Sequence, residues 1–569
     1  MHAITVDTAR LSGPITATLS SRRNLVSALV LLVLGTYSSS LAGDFVYDDR
    51  RVVVANPLVG HWDWHTLGVI FTRDYWAAYN SVSGGGQIES FYYRPFVHMY
   101  ELVAYSLVGR NAIGWHLLSV LLHALAAILV MLVLEKSLAA ASSLEAKQRR
   151  LVAALAAAIF ALHPVQGEAV AWISAFANPL GSVFSLGSFY CYLRYRESRK
   201  ALVIAAAAVL MAAAVLTKET GLVLPGLIIA HELFIFDRER ALSARIRAAA
   251  IMALPFAGAA AVYFVLRYRA LNVLVGKEAN LNFPDDASLS LLDTLRTVPA
   301  LLLAYLRLAL MPLKHSMMYD FGPVRSFGGF SFWLPLALCI ALGGLLIYFC
   351  KRWIEIRIAA AWMLIPILPH LNTSVFSSEE ILHDRFLYLS MVGVGLLGAI
   401  AMMAAAKRLQ FARLGKISIA ALILIGLSLS TVGQNMKWGS EAALWTHAAA
   451  NAPNSRITHM ALGRMAEERQ DYQRALEEYD AALRVNPDII DALNDAGLVY
   501  ARLGRWDEAI ANFEHITALT PNKAVAHFNL SVAYAAQKRY ADAAREQQIA
   551  LSLDPGQKWR TQPEPQGQH

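Results

Sequence analysis

The stretch RRNLVSALVLLVLGTYSSSLAGDFVYDD, Arg22 to Asp49, decides how the rest of the chain is read. Two arginines precede an apolar run that begins at Leu25, and two adjacent carboxylates, Asp48 and Asp49, follow its small-residue tail. The Arg pair and the Ser40-Leu41-Ala42 sequence suit a secretory signal with a cleavage site. They also suit an uncleaved membrane helix over 25–43, the reading we favour. Either way Asp48 and Asp49 stand across the membrane from Arg22 and Arg23, because cationic flanks stay on the cytoplasmic side.

Lipid is the expected solvent for most of the 569 residues. The chain is 56% hydrophobic and only 16% charged, with a positive mean hydropathy, which excludes an ordinary soluble enzyme. Cys191, Cys339 and Cys350 all lie in or beside apolar runs, which argues against a disulfide framework. From Asn451 onward 13 Lys and Arg face 16 Asp and Glu, a balance of −3, while the apolar portion carries +11. That excess fits cytoplasmic loops and an anionic membrane surface; with no nucleic-acid-binding motif beside it, nucleic acid is not a partner.

Further apolar spans are predicted at 113–134, 151–162, 180–195, 201–216, 222–236, 248–266, 330–349, 358–368, 386–406 and 417–432. With 25–43 they make about eleven transmembrane helices, so the fold class is all-α and polytopic. Cationic clusters mark the cytoplasmic connections: Lys147/Arg149/Arg150, Arg194/Arg196/Arg199/Lys200, Arg238/Arg240/Arg245/Arg247, Lys351/Arg352/Arg357 and Lys407/Arg408/Arg413/Lys416. The stretch 291–311 would invert this alternation if it crossed. It contains Arg296 and Arg307, so it is expected along the interface or re-entering from outside. Eleven crossings then put the N-terminus inside and the C-terminus outside.

After Asn451 a period of 34 residues takes over. Pro453, Pro487, Pro521 and Pro555 obey it, as do Ala475, Ala509 and Ala543, and Tyr472, Trp506 and Tyr540. Leu462-Gly463, Ala496-Gly497 and Leu530-Ser531 hold equivalent places, where small residues let two helices approach. This is the tetratricopeptide pattern, in three units over 454–487, 488–521 and 522–555, and three units suffice to bury a shared core. The expected organisation is a cytoplasmic tail over 1–24, a membrane domain over 25–436 whose first outward loop spans 44–95, a linker over 437–453, the repeats, and a disordered tail over 556–569. The repeats would lie outside, in a periplasm, with their concave groove free for an extended peptide.

The outward loops collect the chain's chemistry. They hold Asp48, Asp49, Glu89 and Arg94; His163 and Glu168 in LHPVQGEAVAWI; Lys218 and Glu219 in TKETG; Asp320 in MMYDFGP; and Asp384, Arg385 and Tyr388 in HDRFLYLS. Charges at a membrane boundary are costly and mark function. A lipid-linked phosphate needs cations there, for which Arg94, Lys218 and Arg385 are the candidates. Transfer of a sugar from that phosphate to a hydroxyl needs a carboxylate base on the same side. Asp48 and Asp49 are the candidates, with Asp49 expected ahead of Asp48. His163, Glu168, Glu219, Asp320, Asp384 and Tyr388 are expected to bind substrate or support the site. No spacing demands a cofactor, and a divalent metal that steadies the phosphate is left open.

The order DFVYDD…NP, YYRPF, GWHLLSVLLHAL, FALHPVQGEAVAWI, LTKETG and DRFLYLS, followed by tetratricopeptide repeats, resembles the transmembrane and tetratricopeptide-repeat protein O-mannosyltransferases of the GT-C superfamily. The resemblance runs from about Asp44 to Pro555. It implies a GT-C-type membrane domain, a polyprenyl-phosphate-linked sugar as donor, and a carboxylate pair in the first extracytoplasmic loop that Asp48 and Asp49 match. Asp384-Arg385 stands where the family typically has Glu-Arg, and only three repeats are clear, so the family's own acceptors do not carry over. Ala-rich spans and the short array suggest a bacterial relative in an inner membrane. The acceptor would be Ser or Thr of a periplasmic protein presented by the repeats; a lipid or cell-envelope glycan, or a non-catalytic scaffold, are the alternatives.

Overall fold

The computed structural model describes residues 21–76, 92–274, 289–311, 313–376, 378–408 and 413–556. Glu89, most of the expected N-terminal tail and most of the C-terminal tail lie outside the described residues. Every described element is a helix or a helical turn. Each of the eleven predicted apolar stretches contains a helix, beginning with Arg22–Tyr37, whose first turn is capped by Ser21 accepting from the Asn24 amide at 3.2 Å.

Among the described residues six helices are long and apolar enough to cross a membrane alone: Arg22–Ala42, Ala112–Ala141, Leu242–Leu271, Phe330–Arg352, Met391–Arg408 and Ile417–Lys437. Ala146–Leu162 and Pro164–Ala171, bent by 55°, make a seventh if counted as one span. The chain is thus a multi-pass membrane protein. The other predicted spans are helical but less suited to crossing alone. Leu224–Phe234 and Ile354–Leu364 have 11 residues each. At about 1.5 Å per residue such a helix falls short of a bilayer core of about 30 Å. Short helices continued by irregular turns survive at that depth only where protein surrounds them. Leu224, Leu227, Ile228, Ile358, Ala359 and Trp362 are accordingly buried.

Small residues let the bundle close. A Cβ on Gly395 would stand 2.5 Å from the Ala156 carbonyl oxygen, so Met391–Arg408 packs backbone-to-backbone on Ala146–Leu162. Helix Leu291–Leu310 has two faces, with Thr294, Thr297, Leu301, Tyr305 and Leu308 buried and Leu291, Leu292 and Leu295 exposed. The helix is therefore amphipathic, which suits the interfacial position expected from Arg296, Arg307 and the loop charges.

Ala112–Ala141 measures the distance between two chemically different ends. Near its start His116 lies against Gly43; near its end Glu135 pairs with Arg22 at 3.0 Å and Arg150 at 3.5 Å. Lys136–Glu197, Arg196–Asp237 and Arg357 on the Phe234 carbonyl gather at that second end, so the cationic connections cluster together, away from the Asp48 loop.

The repeats form three helical hairpins: Arg456–Glu468 with Tyr472–Val485, Ile490–Arg502 with Trp506–Leu519, and Ala524–Ala536 with Tyr540–Leu553. Their small residues have the expected cause. A Cβ on Gly463 would meet the Tyr479 ring at 2.4 Å, and one on Gly497 the Phe513 ring at 2.8 Å.

The segment expected as a linker is a packed helix, Glu441–Asn451, capped by Ser440. Its Leu444, Trp445 and Ala448 are buried in one cluster with Val46, Trp172, Met317, Met318 and Trp438, where Trp172 stacks on Trp438 at 5.4 Å and 11°. Eleven residues of weak periodicity conceal this role, because the apolar counterface comes from loops distant in sequence. The repeats therefore dock on the end of the membrane domain that carries Asp48.

Candidate active site

The Asp48 loop is shaped by an unusual backbone. Tyr47 has φ +54°, a left-handed conformation that a bulky side chain occupies at a cost of about 1–3 kcal/mol. Two contacts compensate. Glu441 Oε1 accepts the Tyr47 amide at 2.7 Å, and the Tyr47 ring lies between Trp172 at 5.6 Å and Trp445 at 5.3 Å. A single turn over Arg50–Val54 then leads the chain away.

This turn points the two carboxylates in different directions. Asp49 is fully buried and saturated: it accepts from the Val46 amide at 3.1 Å and from the Ser174 amide at 2.7 Å and hydroxyl at 2.5 Å. Asp48 lines a cavity of about 530 Å³, and no hydrogen bond holds its carboxylate among the described residues. Of the two, Asp48 is the one that lines the cavity, while Asp49, expected ahead of it, fastens the loop to Ser174. Burial pushes the Asp48 carboxyl up to about 6, with Glu380 and Glu441 adding to the rise and Arg51 and Arg385 opposing it. Burial also lifts Asp49 to about 7, outweighing its hydrogen bonds from Ser174 and Val46.

Three cations line the same cavity as Asp48. Arg94, placed by the Pro95 that opens the next helix, covers the Tyr92 ring at 4.0 Å and binds Glu219 at 2.8 Å. Arg385 is held by Glu168, through its guanidinium and its backbone amide at 2.9 Å, and lies over Trp172 at 5.3 Å. Lys218 ends helix Ala201–Thr217 and differs from both arginines. Its ammonium donates to the neutral Asn178 amide oxygen at 2.5 Å, and among the described residues no carboxylate lies within ion-pair distance. Burial pushes it down to about 7, and Arg94 and Arg385 add repulsion, against a weaker pull from Glu219 and Glu168. A half-buried ammonium that two guanidiniums repel, with no carboxylate paired to it among the described residues, is arranged to receive an anion.

The cavity thus assembles Asp48, Arg94, Lys218, Glu219 and Arg385, with Asp49 and Glu168 directly behind. Four expected residues stand elsewhere. Asp384 is buried between His315 Nδ1 at 2.9 Å and the Tyr319 hydroxyl at 2.6 Å, tying two loops together beside Arg385. The His163 ring accepts the Val165 amide at 3.2 Å and serves the bend between two helices. The Tyr388 hydroxyl bonds His123 at 2.7 Å inside the bundle. Asp320 receives the Asn454 amide at 3.3 Å and belongs to the seam with the repeats. None of the four lines the cavity.

Sequence reasoning passed over Arg267, Trp172, His370 and Glu380, all in the cavity wall. Arg267 sits 3.9 Å from Glu219 and donates to the Leu274 carbonyl at 2.9 Å. A cation ending an apolar run marks it, by the rule that found Lys218. Trp172 lies inside LHPVQGEAVAWI, where its apolar neighbours give it the look of a core residue. Nothing local distinguishes Glu380 from Glu379. Among the described residues no group of three or more His, Cys, Asp or Glu is arranged to hold a metal ion.

With this geometry in place, similar proteins fall into two groups. A tetratricopeptide repeat model matches residues 462–528. The human protein O-mannosyl-transferase TMTC3 is 24% identical over 535 residues, 87% of this chain and 55% of the relative. The chain is thus similar to protein O-mannosyl-transferases over most of its length. It spans about half the length of the curated relatives it matches. Among solved structures, ArnT from Cupriavidus metallidurans, bound to undecaprenyl phosphate, is similar over 94% of this chain and 88% of its own, at 16% identity and a TM-score of 0.36. The archaeal oligosaccharyltransferase AglB from Archaeoglobus fulgidus, solved with an inhibitory peptide and a dolichol-phosphate, is similar over 80% of this chain and 59% of its own, at 13% identity and a TM-score of 0.38.

Proposed function

We propose that the chain is a membrane glycosyltransferase that moves a mannose-like sugar from a polyprenyl phosphate to a Ser or Thr hydroxyl of an extracytoplasmic protein. The observation that carries this reading is the cavity itself: it is lined by Asp48, Arg94, Arg385 and Lys218, and among the described residues no hydrogen bond holds the Asp48 carboxylate and no carboxylate pairs with Lys218. The similarity to protein O-mannosyl-transferases supports it.

The chemistry follows from these groups. The acceptor oxygen attacks the anomeric carbon, and its proton passes to Asp48 as the new bond forms. The glycosyl–phosphate bond breaks, and its electron pair leaves with the phosphate. Lys218, Arg94 and Arg385 stabilise the charge gathering on that phosphate. A carboxyl near 6 is largely ionised at neutral pH and is a stronger base than an ordinary aspartate. The cavity and the repeats share the outward side, so an acceptor segment in the repeats is delivered to the cavity mouth. In a bacterial inner membrane that side is the periplasm. No step here requires a metal; a divalent ion would act on the phosphate beside Lys218.

The test is transfer from a radiolabelled polyprenyl-phosphate mannose to a Ser/Thr peptide by the full chain in membranes. Asp48→Asn should lower it by about 100-fold or more, the range lost with a general base. Unchanged transfer by that variant would sink the assignment. A scaffold would show no transfer in either form.

A further inference from the structure

Two of the contacts between the membrane domain and the segment that carries the repeats lie one residue from a cavity carboxylate. Glu441, on the helix that leads into the repeats, accepts the Tyr47 amide with one oxygen and the Trp445 indole N–H with the other, both at 2.7 Å. It also lies 3.8 Å from Arg50. Asp48 sits between Tyr47 and Arg50. On the second loop, Glu379 accepts the Ser455 hydroxyl at 2.9 Å and pairs with Arg456 at 2.8 Å. Both partners belong to the start of the first repeat, and Glu380 lines the cavity next door. Asp44, Phe45 and Arg50 share a further crevice of about 240 Å³ with Ser440, Glu441 and Arg469, so the Asp48 loop is wedged between the cavity and the repeats.

We propose that Glu441 and Glu379 are positioning residues through which the repeat module fixes the Asp48 and Glu380 loops at the cavity, so that the repeats govern the sugar-transfer step itself as well as acceptor capture. The inference rests on the glycosyltransferase reading. Its physical basis is the left-handed Tyr47 backbone, which the loop does not adopt without compensation and for which the helix carrying Glu441 supplies an acceptor and an aromatic face. Releasing Glu441 lets Tyr47 relax, and Asp48 swings from the acceptor hydroxyl.

The test uses the full chain in lipid, with turnover of radiolabelled polyprenyl-phosphate mannose measured with water alone and with a Ser/Thr peptide. Glu441→Gln keeps the shape but leaves one carbonyl oxygen for two donors. It should lower kcat about tenfold with an unchanged donor KM, because a small misplacement of the base spares ground-state binding. It should also move the acidic limb of the kcat profile to lower pH. Asp48 is faced by Arg51, Arg385, Glu380, Glu441 and Tyr47, and removing the Glu441 charge eases its ionisation. A contact that serves folding alone would lower the yield of folded protein and leave kcat per folded molecule unchanged. Glu379→Gln should give a smaller kcat loss of the same kind, and it carries the test if Glu441→Gln does not fold. Tyr540→Ala, exposed on the last hairpin, should leave water turnover unchanged. Wild-type kcat and an unmoved limb in the folded Glu variants would overturn the inference while Asp48→Asn stays inactive. Donor turnover that survives Asp48→Asn would instead remove the glycosyltransferase reading and this inference with it.

Discussion

Arginine–glutamate pairs occur both in the repeats and in the cavity, and they mean different things. In the repeats Arg474 reaches Glu477 and Glu478 on its own helix while staying exposed, and His459–Glu478 recurs as His527–Glu546, each at 2.7 Å. These pairs close on themselves. In the cavity, Arg94 and Arg385 pair with Glu219 and Glu168, while Lys218, which both arginines repel, has among the described residues an amide in place of a carboxylate. A charged pair is structural when its charges are satisfied locally. It becomes part of a site when it forces an unmatched charge on a neighbour. Lys218 is that unmatched charge, and Asp48 is its counterpart in the same cavity.

The largest effects should follow from breaking this asymmetry at Asp48 and at Lys218. Asp48→Asn should remove transfer with the fold intact. Asp49→Asn should instead lower stability by about 1–3 kcal/mol, read by thermal unfolding, because its amide cannot accept all three donors from Val46 and Ser174. Equal loss of activity at equal stability in the two variants would erase the distinction between them.

Lys218 gives the next effect, and its sign is fixed by burial. The ammonium is charged below about pH 7 and neutral above it. Donor binding should therefore weaken as pH rises through 7 in the wild type, and the dependence should vanish in Lys218→Arg, whose cation persists. Lys218→Met should raise donor KM by about tenfold below pH 7, the worth of one charge-assisted contact, and by less above it, where the wild-type amine is neutral. A donor KM independent of pH in the wild type would show that Lys218 does not meet the phosphate.

Much of this was legible in the sequence, for reasons that also explain what was not. Apolar length marks helices, so all eleven stretches were found. Length cannot tell a crossing helix from a short one such as Ile354–Leu364, which depends on protein neighbours for burial. A 34-residue period marks the hairpins because Gly463 and Gly497 must admit a ring. The scarcity of charge in apolar surroundings made Arg94, Lys218, Glu219 and Arg385 conspicuous. It did not reveal direction. Asp48 and Asp49 are adjacent and identical in kind, and only the turn at Tyr47 sends one to the cavity and the other to Ser174. His163, Asp320, Asp384 and Tyr388 carry the same polar signature as the cavity residues but close local bonds. The helix at Glu441–Asn451 was invisible because its counterface, Val46 and Trp172, is remote in sequence.

The repeats should respond to volume where the cavity responds to charge. Gly497→Val places a side chain where the Phe513 ring already stands within 2.8 Å. It should destabilise the array by about 1–3 kcal/mol, the usual result of overpacking, and leave donor turnover with water unchanged, because among the described residues no hydrogen bond or ion pair joins the second hairpin to the Asp48 or Glu380 loop. Arg474→Ala marks the lower end of the scale. Its guanidinium is largely exposed, and Glu478 keeps a second partner in His459, so no charge is left buried alone. Surface changes of this kind stay within about 0.5 kcal/mol. A larger shift in unfolding temperature would mean that the exposed pairs hold the array together, and the contrast with Lys218 would lose its basis.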